Sequence, residues 1–376
     1  MILYITVAVS AILIASKIES GHKNHIIIQG GVSRDKQGVS NRICFAGLFT
    51  LLFVVSALRI QTGNDYQTYI DRFHDIVCGN YVVTEPGFNL IVTAIYLFFQ
   101  KEVYLVVFAV FAFLTIGVFL KALYEQSPDF QLSFFLFMAL GIYFQTFNTV
   151  RYYFALALVL YSMRYVLRKE YVKFILMIML AMLFHKSALV VIPLFLLARM
   201  NWKKGALIFF GFFALTGLFL EEFYMQVILY LYPSYIHEEE YLLAGSFSIV
   251  NIIRCMAVLV LALYCYKDAI RDSEENRFYF YLNLGALALY TCFTFIPFVS
   301  RIGYYLNISH LFFIPALLRA VPKRKKMWKI LVVAAGILYF AAFLYKATDV
   351  TVKILPYSTW IFEEVEFVPL FESIQY

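Results

Sequence analysis

Residues 86–100 read Pro-Gly-Phe-Asn-Leu-Ile-Val-Thr-Ala-Ile-Tyr-Leu-Phe-Phe-Gln, and the topology of the whole chain turns on what this run is. Its apolar part, Phe88 to Gln100, falls short of the roughly 20 residues an α-helix needs to cross a bilayer. It opens on Pro86-Gly87 and reads as a re-entrant or juxtamembrane helix, a form tolerated where protein or water lines it. Around it, apolar runs recur from the first residue to about Tyr345, with spans expected near 2–16, 43–60, 103–120, 131–147, 152–167, 172–184, 188–199, 205–220, 247–266, 278–296, 302–318 and 328–345. The first run, Met1 to Ser16, lacks a charged leader region and a small-residue cleavage site, so it reads as a retained span.

Charge decides between the topologies. With 88–100 counted as a full span, the basic loop of Arg164, Arg168, Lys169 and Lys173 falls opposite that of Lys17, Lys23, Arg34, Lys36 and Arg42, against the positive-inside rule. Without it, most of the 31 Lys and Arg share one side, in 17–42, at Lys121, and in 164–173, 199–204, 267–277 and 319–329. The acids Glu221-Glu222, Glu238 to Glu240, Glu363, Glu364, Glu366 and Glu372 come out on the other side. The expectation is an all-α polytopic membrane protein of about twelve transmembrane helices plus the re-entrant helix, with both termini external. A single integral membrane domain covers 1–376, with external loops 61–102 (short helices) and 221–246, and an external tail 346–376.

Composition excludes whole classes of function. The chain is 62% hydrophobic and 15% charged, which rules out a water-soluble enzyme. The net charge of +7 sits in short loops, where it sets orientation and does not mark a nucleic-acid partner. There is no G-x-x-x-x-G-K-[ST] and no inner loop long enough for a nucleotide-binding domain, so ATP-driven transport is not expected. Cys44, Cys255, Cys265 and Cys292 lie in or beside apolar runs, Cys78 is alone in a loop, and no C-x-x-C occurs. Neither a zinc site nor a disulfide framework is expected.

Four unusual polar features converge on the external side. The first is Arg59-Ile-Gln-Thr-Gly63-Asn64-Asp65-Tyr66-Gln67-Thr68-Tyr69 with Asp71, Arg72 and Phe73; helical spacing puts Asp65, Tyr69 and Arg72 on one face and Tyr66, Ile70 and Phe73 on the other. Asp65 either caps this helix or carries chemistry. The second is Glu85-Pro86-Gly87-Phe88-Asn89, where Glu85 is either a second carboxylate beside Asp65 or a charge favoured by a helix N-terminus. The third comprises Asn148-Thr149-Val150-Arg151-Tyr152-Tyr153 and His185-Lys186-Ser187; Arg151 and Lys186 snorkel or face a polar cavity, and His185 is a packing residue or a functional one. The fourth is Pro297-Phe298-Val299-Ser300-Arg301-Ile302-Gly303-Tyr304-Tyr305, joined by Arg254 within the ninth span. Arg151, Arg254 and Arg301 either reach across helices to carboxylates such as Asp65 and Glu85 or bind an anionic ligand, and guanidinium forks suit phosphate.

The order R-x-x-x-G-x-D-Y-x-x-Y, E-x-G-F, N-x-x-R, F-H-K-S-A-L and S-R-x-x-Y-Y, from Arg59 to about Pro315, resembles the EpsG family of polysaccharide-biosynthesis membrane proteins. The chain departs from it at Arg151-Tyr152, where Arg-Gln is the commoner pairing. The resemblance implies a Wzy-like exopolysaccharide or capsule polymerase in the bacterial cytoplasmic membrane, joining undecaprenyl-pyrophosphate-linked oligosaccharide repeat units at the outer face. It also implies partners, a flippase and a chain-length regulator, and by analogy a GT-C-like architecture.

Such a transfer needs a base for the incoming hydroxyl and positive charge for the departing pyrophosphate. Asp65 or Glu85 fits the first role, and Arg151 with Arg301, joined by Arg254, fits the second. His185 donates to the leaving phosphate or orients the acceptor. Tyr66 and Tyr69 position sugar, and 86–100 shapes the entrance for membrane lipid. A divalent metal could replace one of these cations, but two scattered carboxylates are a poor ligand set, and no obligatory metal or other cofactor is expected. A lipid-linked oligosaccharide flippase is the alternative, but it needs polar residues at both sides and at the midplane. A membrane acyltransferase has only His185 and His310 to work with, in no acyltransferase motif.

Overall fold

The computed structural model describes residues 1–19, 36–231, 248–296, 299–349 and 352–362. Lys23, Arg34, Glu238 to Glu240, Pro297-Phe298 and the tail acids Glu363, Glu364, Glu366 and Glu372 lie outside the described residues. The fold is all-α, as expected. Among the described residues the one β pairing is antiparallel, Arg59–Ile60 with Ser358–Thr359.

The chain divides into two compact units. The first comprises Met1–Tyr161, Met179–Lys186 and Lys326–Tyr376, and is built on helices Lys36–Ala57 and Tyr104–Gln126 packed along each other. Phe113 sits edge-on to both Phe49 and Phe53, with ring centroids 5.3 and 5.9 Å away. In an apolar chain that exposes apolar faces as well as burying them, ring packing and close approach hold helices together. Helix Ile2–Ala15 packs on Lys36–Ala57 and on Phe130–Ala139, and its Tyr4 hydroxyl donates to the Ile354 carbonyl at 2.7 Å. Helix Lys325–Lys346 buries only Gly336 and Leu344; Gly336 lies so near Phe135 that a Cβ there would stand 2.8 Å from the ring.

The second unit, Ser162–Ile178 with Ser187–Lys325, is organised around helix Glu274–Cys292. Helices Val191–Arg199, Lys204–Thr216, Ile249–Tyr264, Val299–Asn307 and His310–Ala320 pack on it. Several of its buried polar groups are partnered with one another. Asn283 donates to the Cys255 carbonyl at 3.2 Å and its Oδ1 meets His310 Nε2 at 2.8 Å, while Asn307 donates to the Tyr290 hydroxyl at 3.3 Å. Satisfied groups in an apolar interior favour one packing over its near-equivalents, since each lost partner leaves a polar atom stranded.

Among the described residues three helices are long and apolar enough to cross a membrane: Gln37–Ala57, Tyr104–Gln126 and Lys325–Lys346. Gly205–Thr216 and Glu221–Tyr230, bent by 88°, add a fourth if they form one broken span. Together with the exposed apolar faces they fit a membrane protein. Some of the other expected spans are unbroken helices, such as Val150–Leu167 and Glu274–Cys292, while others are interrupted for identifiable reasons. The 131–147 run divides at Gly141, which takes φ +70 between Phe130–Ala139 and Ile142–Gln145. The 302–318 run divides between Asn307 and His310, and the 188–199 run begins as a 3-10 turn, Lys186–Val190. The 86–100 stretch forms a 14-residue helix, Pro86–Phe99, with proline in its first turn and Gln100 ending it in the left-handed region at φ 53.

Candidate functional site

Three segments of the first unit bring four of the expected residues together: the loop into helix Tyr66–Val77, the start of helix Pro86–Phe99, and the start of helix Val150–Leu167. Two glycines permit the approach. Gly63, at φ +105, donates to the Lys353 carbonyl at 2.7 Å, and a Cβ on it would lie 2.6 Å from the Phe147 carbonyl oxygen. Gly87 donates to the Leu183 carbonyl at 2.8 Å, and a Cβ there would strike that same oxygen at 2.7 Å. Both positions need glycine, one for its backbone angle and both for space.

Asp65 stands at the N-cap position of Tyr66–Val77, yet its side chain makes no capping bond. Its Oδ2 accepts instead from the Thr149 hydroxyl at 2.8 Å, and its backbone N–H donates to Asn148 Oδ1 at 3.1 Å. Glu85 repeats the pattern at the head of Pro86–Phe99. One of its oxygens accepts from Arg151 Nη1 in an ion pair, and the other accepts from the Lys186 backbone N–H at 3.2 Å. Of the alternatives left open for Arg151, the structure takes the carboxylate partner. The guanidinium also lies over the rings of Tyr69 and Phe88, 5.6 and 5.4 Å from their centroids, a geometry that suits a cation and further fixes it.

The helix faces differ from expectation. Tyr66, Tyr69 and Phe73 form the buried stripe, so Tyr69 leaves the face assigned to it with Asp65. Its contacts with Arg151 and Phe88 explain the shift. Tyr66 stacks on Phe108 with centroids 4.7 Å apart, so both rings expected to position sugar are packed against protein. Burial raises the Tyr69 hydroxyl above its ordinary 10.0, with the Arg151 charge opposing, and the side chain stays neutral at physiological pH.

His185 is half-buried and edge-on to Tyr152, with centroids 5.2 Å apart, one residue before the N–H that holds Glu85. Arg254 and Arg301 belong to the second unit. Arg254 is buried, donates to Asn251 Oδ1 at 2.9 Å and lies over the Tyr304 ring; Arg301 is half-buried on helix Val299–Asn307. Among the described residues no three His, Cys, Asp or Glu side chains gather as a metal site.

Sequence reasoning gave no role to Thr149 or Asn148, although both lie in the quoted N-x-x-R stretch. It also gave none to Arg59, which is 1% exposed. Its guanidinium donates to Ser56 and to the Phe147 carbonyl, and packs over Phe108 and Phe147, so it staples the Asp65 loop to the segment before Thr149. Its early place in the R-x-x-x-G pattern was the available signal.

No curated protein and no solved structure matches the chain. The EpsG family model matches residues 42–359, a stretch that contains every residue of the cluster just described, from Asp65 to Lys186. On that match over most of its length, this chain belongs to the EpsG family.

Proposed function

We propose that this protein is a Wzy-like polymerase of exopolysaccharide or capsule, acting on undecaprenyl-pyrophosphate-linked repeat units at the outer face of a bacterial cytoplasmic membrane. The observation that carries the reading is the pairing of two sites in one cluster: a carboxylate oriented by a hydroxyl, Asp65 with Thr149, and a cation oriented by a carboxylate, Arg151 with Glu85. Family membership supports the polysaccharide setting. The topology in this proposal has twelve spans, some of them broken, with the cluster external.

In the proposed reaction, Asp65 accepts the proton of an acceptor sugar hydroxyl, whose oxygen attacks the anomeric carbon of the donor sugar. The bond from that carbon to the lipid pyrophosphate breaks, and the electron pair leaves with the pyrophosphate, whose charge Arg151 meets. Glu85 and Tyr69 are positioning residues for Arg151, and His185 orients the acceptor or donates to the leaving phosphate. Arg301 and Arg254 keep their expected role as phosphate-binding cations, tested separately by substitution. A flippase and a chain-length regulator are proposed as partners.

Analysis of lipid-linked saccharides in cells lacking the protein, complemented with wild type, Asp65→Asn, Arg151→Ala or Arg301→Ala, tests the reading. Single repeat units accumulate on the external side, with polymer lost in the null and in stably expressed mutants. Repeat units trapped on the cytoplasmic side would make the protein a flippase, and normal polymer lacking one substituent would make it a modifying enzyme.

A further inference from the structure

A groove of about 700 Å³ opens in the first unit between helices Lys36–Ala57 and Tyr104–Gln126, far from the Asp65 cluster. The two helices run antiparallel, so Arg42, early in one, and Lys121, late in the other, share its rim. Arg42 lies on the order of 20 Å along the helix axis from Ala57, where the loop to Asp65 begins. Neither Arg42 nor Lys121 is in an ion pair among the described residues, and both are exposed; Lys121 lies 5.4 Å from the Tyr161 ring centroid. The acid on the rim, Glu125, accepts from the Tyr161 hydroxyl at 3.1 Å.

One and two turns below Arg42 the wall becomes Phe45 and Phe49. Both helices are long and apolar enough to span a bilayer, so their ends fall at the depth of lipid phosphates and the phenylalanines fall at the depth of acyl chains. Two cations above an aromatic wall match a ligand that is anionic at one end and hydrocarbon at the other. We infer that this groove is a binding site for an anionic glycerophospholipid, its phosphodiester between Arg42 and Lys121 and its acyl chains along Phe45 and Phe49.

The test uses the purified full-length chain in detergent, exposed to equal phosphatidylglycerol and phosphatidylcholine and read by native mass spectrometry. The wild type retains phosphatidylglycerol over phosphatidylcholine, with a preference that falls about fivefold for each rim charge removed. Arg42→Gln with Lys121→Gln therefore brings the two lipids level. Both side chains are exposed, so the variant unfolds at the wild-type temperature. Lys326→Gln with Lys329→Gln, at exposed positions outside the groove, leaves the preference intact. Equal retention of both lipids by the wild type would overturn the inference, as would a Lys326/Lys329 variant that loses as much preference as the Arg42/Lys121 one. Displacement of the lipid by millimolar inorganic phosphate would reassign the groove to free anions.

Discussion

Glu85 holds Arg151 with one carboxylate oxygen and the backbone N–H of Lys186 with the other. One side chain thus ties three segments of sequence, the starts of two helices and the turn at His185, into a single cluster. A carboxylate used in this way is already hydrogen-bonded at both oxygens. That leaves Asp65 as the better acceptor for a substrate proton.

Breaking the pair from either side gives different results. Arg151→Ala abolishes polymer, because it removes the proposed pyrophosphate contact and leaves Glu85 buried without its cation. Removing one member of a fully buried pair costs about 3–5 kcal/mol. Here the Arg151 side chain is 20% exposed, so the loss is smaller. Glu85→Gln keeps the guanidinium but loosens it, and activity falls about tenfold with a modest drop in thermal stability. Glu85→Gln with Arg151→Met recovers stability and recovers no activity, as measured by thermal unfolding alongside polymer yield.

Asp65 separates from its helix in the same fashion. Asp65→Asn keeps the Thr149 contact and the helix start, so the protein accumulates normally and makes no polymer. Thr149→Val removes one hydrogen bond of about 1 kcal/mol, roughly a fivefold loss of rate. Initial rates on lipid-linked repeat units distinguish the two, and a Thr149→Val enzyme as dead as Asp65→Asn would give the hydroxyl a direct part in the chemistry.

Gly63→Ala and Gly87→Ala fail in folding before they fail in catalysis. The first adds a Cβ 2.6 Å from the Phe147 carbonyl oxygen at a φ of +105, and the second adds one 2.7 Å from the Leu183 carbonyl oxygen. Each costs about 1–3 kcal/mol. Both lower the amount of folded protein in the membrane, as quantified by fluorescence-detected size exclusion, whereas Gly79→Ala has open space around it and pays only the backbone cost of its φ of +74.

The Tyr69 hydroxyl predicts a pH limit. Its folded pKa is raised above 10.0, chiefly by burial, so the neutral form is favoured in the fold. The sign follows: Tyr69 leaves stability unchanged below the ordinary tyrosine value, and stability falls as pH rises past about 10. Tyr69→Phe removes this alkaline loss while leaving stability at pH 7 within about 1 kcal/mol. Unfolding temperatures measured from pH 7 to 11 check it.

Much of the candidate site was legible. The shortness of Phe88 to Gln100 and its Pro-Gly opening identified a helix too brief to span, and Pro86–Phe99 is that helix. Arg151 and Glu85 could both be singled out as charges needing a reason. Their pairing could not be read, because 66 residues separate them and nothing local selects one partner over another. The packed stripe of Tyr66, Tyr69 and Phe73 was misjudged because helical spacing alone cannot show that Arg151 draws Tyr69 inward. The break at Gly141 falls inside a stretch, 134–144, that stays apolar throughout, so hydropathy passes over it while backbone angle does not; the other break falls at Asn307, Ser309 and His310, whose polarity was the available signal.

The pairing of Arg59–Ile60 with Ser358–Thr359 places a condition on biogenesis. Those four residues, with the Lys353 carbonyl that holds Gly63, close a loop spanning most of the chain. Such closure comes late, since its entropy cost is met before the contact forms. While the ribosome is still adding helix Lys325–Lys346, the Asp65 loop has its Arg59 staple but neither the strand partner nor the Lys353 carbonyl that holds Gly63, and that outer frame is completed only when synthesis has passed residue 359. A nascent chain halted earlier has Glu85, Arg151 and Asp65 in hand but leaves Arg59–Ile60 an unpaired strand and Gly63 without the carbonyl that holds it.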